Sequence, residues 1–471
     1  MADIDRFEDD EEPLRPGDRW EDDLRRFKEM LGKDGKDINS PEALEEIIQF
    51  YFEHEKFEEA LAYTDKLITF EPFNADAWQR KGMIYNNLFK YDEALQAYEK
   101  ALSLNPTDPE IFINRGITLD NLNRVEESLA SFDVALQLDP ASVDGLFHKG
   151  VTFEKQERFE EAVRLFQRIL ELDPEHADAW YELGYCHDYL DRPEESLRCY
   201  DEHLNRDPYN HNAWYNRGIV LNRVGKFQES IKSYEFALAI KEEFPSAWYN
   251  MGNAYANLAN LPEAISCYKR TLEFEPADVP AWHNLGNAYE EQANYKEAIA
   301  AFTNAIKHDD QHYESFFGRG CCWDALGQPK KALTDYRKGL DIYSDYPELW
   351  YARADAEYNL GKFDDSLDSY RKVIELDPGN AEAWFDYGDT LLELGSVQSA
   401  VQALDKSISL RPEFALAHFS RAKAAIGEGK YDEAAEILQR AFALQADLRK
   451  DFRTLYPELA GRKPFSLLLR D

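Results

Sequence analysis

The stretch that decides the fold runs from residue 213 to residue 276 and reads AWYNRGIVLNRVGKFQESIKSYEFALAIKEEFPSAWYNMGNAYANLANLPEAISCYKRTLEFEP. Within it, Trp214 returns as Trp248 after 34 residues, and its neighbours return with it. The same spacing continues in both directions and stays in register over residues 41–448, as twelve units without an insertion or deletion. The chain is therefore built from an internal repeat, and the folding problem reduces to one short unit and its neighbours.

Four positions of the unit, counted from its first residue, carry the pattern. Position 4 is mostly Trp, position 8 is mostly Gly, position 20 is always Ala or Ser, and position 24 is mostly Tyr or Phe. Positions 4, 8 and 11 share one helical face, and so do positions 20, 24 and 27. The break near positions 14–16 separates them, so each unit is predicted to form two short antiparallel helices. We expect the large residue at position 4 to fill the hollow left by the small residues at positions 8 and 20.

This pattern resembles the tetratricopeptide repeat, in which W-x2-L-G-x2-Y is followed by A-x3-F and a closing P on a 34-residue period. The second unit carries the motif at Trp78, Gly82, Tyr85, Ala94, Tyr98 and Pro106. The resemblance implies an all-α fold, a right-handed α-solenoid of about twelve 34-residue helix-turn-helix units. A helix pair this short cannot bury its own apolar face, so the units are expected to stack.

The chain is predicted to have three parts. Residues 1–40 form an acidic N-terminal segment, partly disordered, with a short amphipathic helix at 18–31 that covers the first repeat or docks a partner. Residues 449–471 form a capping helix and a basic tail, which folds back on the repeats or docks a partner. The repeats between them are 41–74, 75–108, 109–142, 143–176, 177–210, 211–244, 245–278, 279–312, 313–346, 347–380, 381–414 and 415–448.

Position 7 departs from the tetratricopeptide pattern, because seven units carry a base where Leu is usual, as at Arg217. We expect the stem of this side chain to pack while its charged head reaches an acid at the repeat junction. The candidate acids close the repeats and are Asp139, Asp173, Asp207 and Asp377.

The composition limits the possible partners. A net charge of -37 argues against a nucleic-acid partner, which requires clusters of Lys and Arg. No apolar run is long enough to span a membrane, and the acidic start lacks the apolar core of a secretory signal. Five cysteines without a C-x-x-C pair are typical of a reducing compartment. The sequence therefore predicts a cytoplasmic protein, and it leaves the oligomeric state open.

The resemblance places positions 2, 5, 6, 9, 12 and 13 of the first helices on a concave, partner-binding groove. Position 5 carries a ring in nine consecutive units, which either lines the wall of the groove or contacts a partner. Positions 6 and 9 carry Asn, whose amide matches a peptide backbone. The candidate groove residues are Asn114, Phe147, Tyr181, Tyr215, Asn216, Tyr249, Asn250, Asn253, His283, Asn284, Asn287, Phe317, Tyr351 and Phe385.

The Asn residues resemble the asparagine ladder in the repeats of O-linked GlcNAc transferases, although Gly318, Ala352 and Asp386 interrupt it. Acids at position 2 mark both ends of the predicted groove, and its centre is neutral. The pattern predicts a protein partner with basic flanks. The sequence lacks the motifs of enzymes and of cofactor sites, and its dense His and acid groups are interpreted as solvated rather than as metal sites.

The favoured interpretation is a non-enzymatic scaffold or adaptor that binds polypeptide segments in the groove. One alternative is a regulatory subunit of an enzyme complex that docks through its termini or convex face. The other is a non-catalytic relative or fragment of a glycosyltransferase with tetratricopeptide repeats.

Overall fold

The structure, a computed structural model, describes residues 40–469 together with Arg25 and Glu29. Apart from those two residues, the helix predicted at 18–31 lies outside the described residues. By its internal contacts the chain divides into two compact units, residues 1–224 and 225–471. From here on, a 34-residue element is called a repeat, and the first and second units are these two larger parts.

The first unit contains eleven helices within residues 41–223. They are α1 (Pro41–Glu53), α2 (Phe57–Phe70), α3 (Ala75–Asn87), α4 (Tyr91–Leu104), α5 (Pro109–Asn121), α6 (Val125–Leu138), α7 (Val143–Lys155), α8 (Phe159–Leu172), α9 (Ala177–Tyr189), α10 (Pro193–Arg206) and α11 (His211–Arg223). Within this unit each helix packs against the next along the chain, and the two helices of one repeat form the most extensive contacts.

The described part of the second unit contains sixteen helices. They are α12 (Phe227–Ile240), α13 (Pro245–Asn257), α14 (Leu261–Phe274), α15 (Val279–Glu291), α16 (Tyr295–His308), α17 (Tyr313–Ala325), α18 (Pro329–Ile342), α19 (Pro347–Asn359), α20 (Phe363–Leu376), α21 (Ala381–Glu393), α22 (Val397–Leu410), α23 (Ala415–Gly427), α24 (Tyr431–Leu444), α25 (Leu448–Leu455), α26 (Pro457–Ala460) and α27 (Phe465–Leu468). In both units the odd-numbered helices up to α23 open a repeat and are called A helices, and their even-numbered partners are called B helices.

Local chemistry explains where these helices begin. Most A helices start after a residue whose side chain accepts a hydrogen bond from the first turn, as Asn74 Oδ1 does from the Ala77 N–H at 3.1 Å. The turn to the B helix contains one residue with positive φ, which Gly adopts without strain. This residue recurs at position 15 of the repeats, as Glu55, Phe89, Asn123, Glu157, Asp191, Gly225, Ala259, Ala293, Gly327, Gly361, Gly395 and Gly429.

The hollow beside position 8 is filled by the ring at position 24, and not by the residue at position 4 as expected. A Cβ atom on Gly286 would lie 2.6 Å from Cε1 of Phe302, a ring that is fully buried. The Trp at position 4 is only half-buried instead, and its indole N–H is used in a hydrogen bond. Trp282 Nε1 donates to Pro276 O at 2.9 Å, which ties the A helix to the end of the preceding repeat.

The predicted partner of the base at position 7 was also wrong. Lys81 Nζ lies 2.7 Å from Asp65 Oδ1, and Arg217 Nε lies 2.7 Å from Asp201 Oδ1. Both acids are at position 25, on the B helix of the preceding repeat, because neighbouring helices pack side by side there. The junction acids accept backbone N–H groups of their own turns, and they are Asp139, Asp173, Asp207 and Asp377.

The C-terminal residues pack on the last repeat. Phe452 and Phe465 are each 1% exposed and belong to the apolar cluster of α23 and α24. Arg449 Nε donates to Leu468 O at 3.2 Å, and Arg453 Nη2 donates to Leu469 O at 2.6 Å. Of the two options left open for this tail, the structure shows folding back on the repeats.

The predicted fold class is confirmed, because the described residues form helices in consecutive packed pairs and contain no strand. The division of the chain into terminal segments and twelve repeats stays a prediction. None of the described helices combines the length and the apolar character needed to cross a bilayer.

Candidate functional site

In each of the two units the predicted rings lie on consecutive A helices, on a surface that we call the A-helix face, formed by positions 2, 5, 6, 9, 12 and 13 of those helices. Eight of the nine rings at position 5 are half-buried, and the ninth, Phe419 on α23, is buried. The eight are Phe147 on α7, Tyr181 on α9, Tyr215 on α11, Tyr249 on α13, His283 on α15, Phe317 on α17, Tyr351 on α19 and Phe385 on α21.

Six of these rings pack with one side against the ring at position 24 of the same repeat. The Tyr249 ring centroid lies 6.0 Å from that of Tyr268, at position 24, and the Tyr351 centroid lies 5.7 Å from that of Tyr370. Phe385 has a different partner, Phe414, and the two ring centroids are 5.0 Å apart. Packing within the repeat therefore covers one part of these rings, and the other part remains accessible on the A-helix face.

Three of the tyrosines at position 5, Tyr181, Tyr249 and Tyr351, contact position 6 of the next A helix, 35 residues later. Asn216 Nδ2 donates to Tyr181 Oη at 2.9 Å, and Asn284 Nδ2 donates to Tyr249 Oη at 3.0 Å. Where position 6 is an acid, the direction reverses, and the Tyr351 hydroxyl donates to the Asp386 carboxylate. The ring and amide patterns seen in the sequence are thus parts of one hydrogen-bonded arrangement.

Asn253 lies at the centre of one group of hydrogen-bonded side chains. Its Oδ1 accepts from Tyr268 Oη at 2.9 Å and from Asn284 Nδ2 at 3.0 Å. Asn284 also reaches Tyr249, so two consecutive A helices and one B helix are joined through side chains. Sequence reasoning did not include Tyr268, because position 24 is a core position.

A second group of hydrogen-bonded side chains joins α15 to the start of α17. Asn287 Nδ2 lies 3.0 Å from His283 Nε2, and His283 Nδ1 lies 3.0 Å from Ser315 Oγ. The Ser315 hydroxyl lies 2.9 Å from His312 Nδ1. Burial, and then the neighbouring His312, lower the pKa of His283 to about 4, so its ring is neutral at physiological pH.

The predicted asparagines are divided between the two units, since Asn114 and Asn216 belong to the first and the others to the second. Asn114 lies on α5, where the Thr118 hydroxyl is 3.0 Å from Asn114 O and 2.9 Å from Asn86 Oδ1. Asn250 is half-buried on α13. Asn253, Asn284 and Asn287 share one area of α13 and α15.

Carboxyl groups occupy the A-helix face in other repeats, and sequence reasoning missed their role. Asp355, Asp386 and Asp389 line a hollow of about 330 Å³ together with Tyr358, Asn359, Tyr370 and Thr390. Burial raises the pKa of Asp386 to about 6 although the Tyr351 hydroxyl donates to it. These acids stand at positions 6 and 9, so a comparison of those positions along all repeats would have found them.

A pair of carboxyl groups lies in the first unit. Glu154 on α7 and Glu182 on α9 are hydrogen-bonded to each other, and the Cys186 thiol is 3.9 Å from Glu154 Oε2. Burial, and then the repulsion from Glu154, raise the pKa of Glu182 to about 8. Among the described residues, no three His, Cys, Asp or Glu side chains are grouped so that they could hold a metal ion.

Comparison with protein families gives matches along most of the repeats. Models described as tetratricopeptide repeat match residues 75–108, 97–130, 147–211, 245–278, 279–312, 351–413 and 400–447. A further model described as TPR repeat matches residues 221–258. Together these matches cover about two thirds of the chain.

No curated protein sequence matches the chain significantly. Among solved structures it is similar to YrrB, described as a TPR protein with an unusual peptide-binding site, with 26% identity and a TM-score of 0.36 over 40% of this chain and 96% of that one. It is also similar to the Cut9-Hcn1 hetero-tetramer of APC/C, with 14% identity and a TM-score of 0.40 over 92% and 96%. A third similar structure is MamA, with 23% identity and a TM-score of 0.34 over 35% and 97%. At these TM-scores the assignment rests on the family models.

Proposed function

Because the chain belongs to the tetratricopeptide repeat family, whose stacked helix pairs act as protein-interaction scaffolds, we propose that it is an adaptor that binds an extended polypeptide segment along its A-helix face. Repeat architectures of this kind are typical of non-catalytic proteins. The proposal therefore assigns the A-helix face to binding.

The observation that carries the proposal is the group formed by Asn253, Asn284 and Tyr249 on α13 and α15. The amides are half-buried, and their bonds to one another and to Tyr249 and Tyr268 use only part of their hydrogen-bonding capacity. A peptide backbone offers the complementary donors and acceptors, and half-exposed tyrosine rings suit a wet interface. Side chains that served only to pack the helices together would not need amide groups with unused donors or acceptors.

Charge supports a partner with basic flanks. Acids at position 2 are exposed in the first unit at Asp76, Glu110, Asp144 and Asp178, and in the second unit at Glu348 and Glu382. With a net charge of -37, the protein attracts positively charged segments over distances of about one Debye length. The two alternative roles, a regulatory subunit and a glycosyltransferase relative, stay predictions.

Selection of random peptides displayed on phage against the immobilised protein would test the proposal. Selected peptides, labelled with fluorescein, are then titrated with wild type and with the double variant Tyr249→Ala/Asn284→Ala, and anisotropy is measured. The matched control is Tyr295→Ala/Asn304→Ala, which also removes a ring and an amide, but from the B helix α16.

We expect the control to bind as wild type does and the A-helix variant to bind at least about tenfold more weakly, since it loses aromatic and hydrogen-bonding contacts. Circular dichroism must show that both variants remain helical. Equal binding by all three proteins, or no enrichment of peptides on wild type, would contradict the proposal.

A further inference from the structure

We propose that a hollow beside Trp282 binds an arginine side chain of a partner protein. This Trp282 hollow has a volume of about 530 Å³ and lies in the second unit, between α14, α15 and α16. The residues of α15 that line it are Trp282, Leu285 and Tyr289, at positions 4, 7 and 11. With about 3.6 residues in each helical turn, these positions face away from those of the A-helix face. The site is therefore separate from the A-helix face and does not depend on the proposed function.

The other repeats show which side chain fits beside a Trp at position 4. In five of them a base of the chain itself lies over the indole ring, and four of the five bases are arginines. They are Lys81 over Trp78 at 5.3 Å, Arg206 over Trp180 at 5.6 Å, Arg217 over Trp214 at 5.9 Å, Arg270 over Trp248 at 5.5 Å and Arg353 over Trp350 at 5.1 Å from the ring centroid. Trp384 has the Tyr387 ring beside it instead, with centroids 6.4 Å apart. The planar guanidinium of arginine suits this place because it stacks on an indole and pairs with a carboxylate at the same time.

Trp282 lacks such a base. Position 7 of its repeat is Leu285, and position 25 of the preceding repeat, which supplies an acid to that base in other repeats, is Lys269. Lys269 lies over Tyr289, with Nζ 5.5 Å from the ring centroid, and no Lys or Arg of the described residues lies over Trp282. Positions 4, 7 and 25 hold the ring, the base and the acid elsewhere, and here the same three positions line the Trp282 hollow. The hollow therefore lies where other repeats have a base.

The charges around the Trp282 hollow favour a cation. Glu273 and Glu297 are exposed beside it, and with Lys269 they give its lining one net negative charge. Glu273 is paired with Arg270, whereas Glu297 forms no ion pair with a described residue. Glu297 is therefore the carboxylate that we expect to pair with a guanidinium stacked on Trp282.

The rest of the lining favours a side chain of a protein over free arginine. Leu272, Leu285 and Ala301 are buried and offer an apolar surface to the methylene groups of an arginine stem. Free arginine also carries a carboxylate, which Glu273 and Glu297 would repel. An arginine within a polypeptide has no such charge, like the bases that the chain itself places beside its other Trp residues.

Fluorine NMR of the full chain labelled with 5-fluorotryptophan tests the proposal, because each of the nine Trp residues then gives its own resonance. The Trp282 resonance is assigned from the spectrum of Trp282→Phe. The probes are N-acetylarginine methylamide, its uncharged isostere N-acetylcitrulline methylamide, the apolar N-acetylnorleucine methylamide and free arginine. Each is titrated at constant ionic strength.

We expect N-acetylarginine methylamide to shift the Trp282 resonance, with a dissociation constant at least about tenfold lower than those of the citrulline and norleucine probes. The resonances of Trp214 and Trp350, whose rings already have a base beside them, should not move. Equal affinity for the charged and uncharged probes would mean that the hollow does not select a cation, and tighter binding of free arginine would make the amino acid the ligand. A Trp282 resonance that no probe shifts would mean that the hollow binds no arginine, and each of these three results overturns the proposal.

A variant that fills the hollow from within the chain tests where the probe binds. Leu285→Arg/Lys269→Asp rebuilds the base and acid that Arg217 and Asp201 form in another repeat, at 2.7 Å. The two substitutions together make the protein more negative by one charge, yet the arginine probe should no longer shift Trp282. Circular dichroism must show that this variant remains helical. Probe binding equal to that of wild type would place the arginine elsewhere and overturn the proposal.

A milder variant leaves the hollow open. Glu297→Gln removes the exposed carboxylate and should weaken binding of N-acetylarginine methylamide about threefold, which is the size expected of an exposed ion pair. The matched control is Glu229→Gln, which removes an exposed carboxylate from the same position 19 of another repeat, on α12, and should bind the probe as wild type does. Equal binding by these two variants would show that Glu297 does not pair with the guanidinium, which would also overturn the proposal.

Discussion

At the residue scale, Glu182 makes stability depend on pH. Its pKa is raised from 4.5 to about 8 by burial and then by Glu154, so the native chain keeps a proton there that the unfolded chain has released. Between about pH 4.5 and pH 8 the native state therefore binds more protons, and stability falls as the pH rises through that window. Glu182→Gln does not titrate, and its melting temperature should exceed that of wild type by more at pH 9 than at pH 5.

The control for this measurement is Glu243→Gln, which neutralises an exposed carboxylate between α12 and α13. Its melting temperature should differ from that of wild type by the same amount at both pH values. If Glu182→Gln behaves as this control does, the Glu154–Glu182 pair does not share a proton in the native state.

The Trp at position 4 illustrates at the same scale what sequence can and cannot show. Its 34-residue recurrence marks the repeat and the start of each A helix, as at Trp78 and Trp282. The sequence does not show which partner a large residue meets, because Gly286 can face any ring that packing brings to it. That ring is Phe302, and Trp282 is left at the surface with its N–H bound to a carbonyl.

At the element scale, the base at position 7 stabilises neighbouring helices to different extents. Arg319 on α17 forms two hydrogen bonds to Asp335 on α18, at 2.8 and 2.7 Å, and the Asp335 side chain is 8% exposed. Arg319→Leu would leave this carboxylate buried and unpaired, at a cost of about 3–5 kcal/mol. Lys81→Leu breaks a pair whose acid, Asp65, is 53% exposed, so it should cost no more than about 1 kcal/mol.

Urea unfolding followed by circular dichroism compares the two variants. Adding Asp335→Asn to Arg319→Leu should restore part of the lost stability, because the unpaired charge is removed. Equal urea midpoints for Arg319→Leu and Lys81→Leu would mean that the Arg319–Asp335 ion pair stabilises the fold no more than an exposed ion pair does.

The helices themselves were predictable from the sequence because the period, the N-caps and the turn residue all repeat in the chain. The contacts of the A-helix face were only partly predictable. Positions 5 and 6 indicated rings and amides, but the bond from Asn284 to Tyr249 joins residues 35 apart and depends on how consecutive A helices pack. Tyr268, assigned to the core from its period, reaches this face only through its hydroxyl.

At the scale of the whole molecule, a repeat chain needs a cap where the repeats end, because the last A and B helices have no neighbour to cover them. Phe465 supplies part of that cap, since its ring centroid lies 5.3 Å from that of Phe452 and 6.1 Å from that of Tyr431 on α24. The bases of the tail, which the sequence left open for a partner, include Arg449 and Arg453, and both donate to backbone carbonyls at the end of α27.

Removing this ring should show how far the cap acts along the second unit. Phe465→Ala leaves a cavity worth about 3–5 kcal/mol, yet in stacked repeats each repeat contacts only its neighbours, so the loss should stay local. Hydrogen exchange should accelerate in α23–α25 and remain unchanged in α13–α16, whereas Leu467→Ala, at a side chain that is 51% exposed, should change neither. Faster exchange throughout α13–α25 would instead mean that the second unit unfolds as one cooperative body, and the cap would then control the binding face as well as the last repeat.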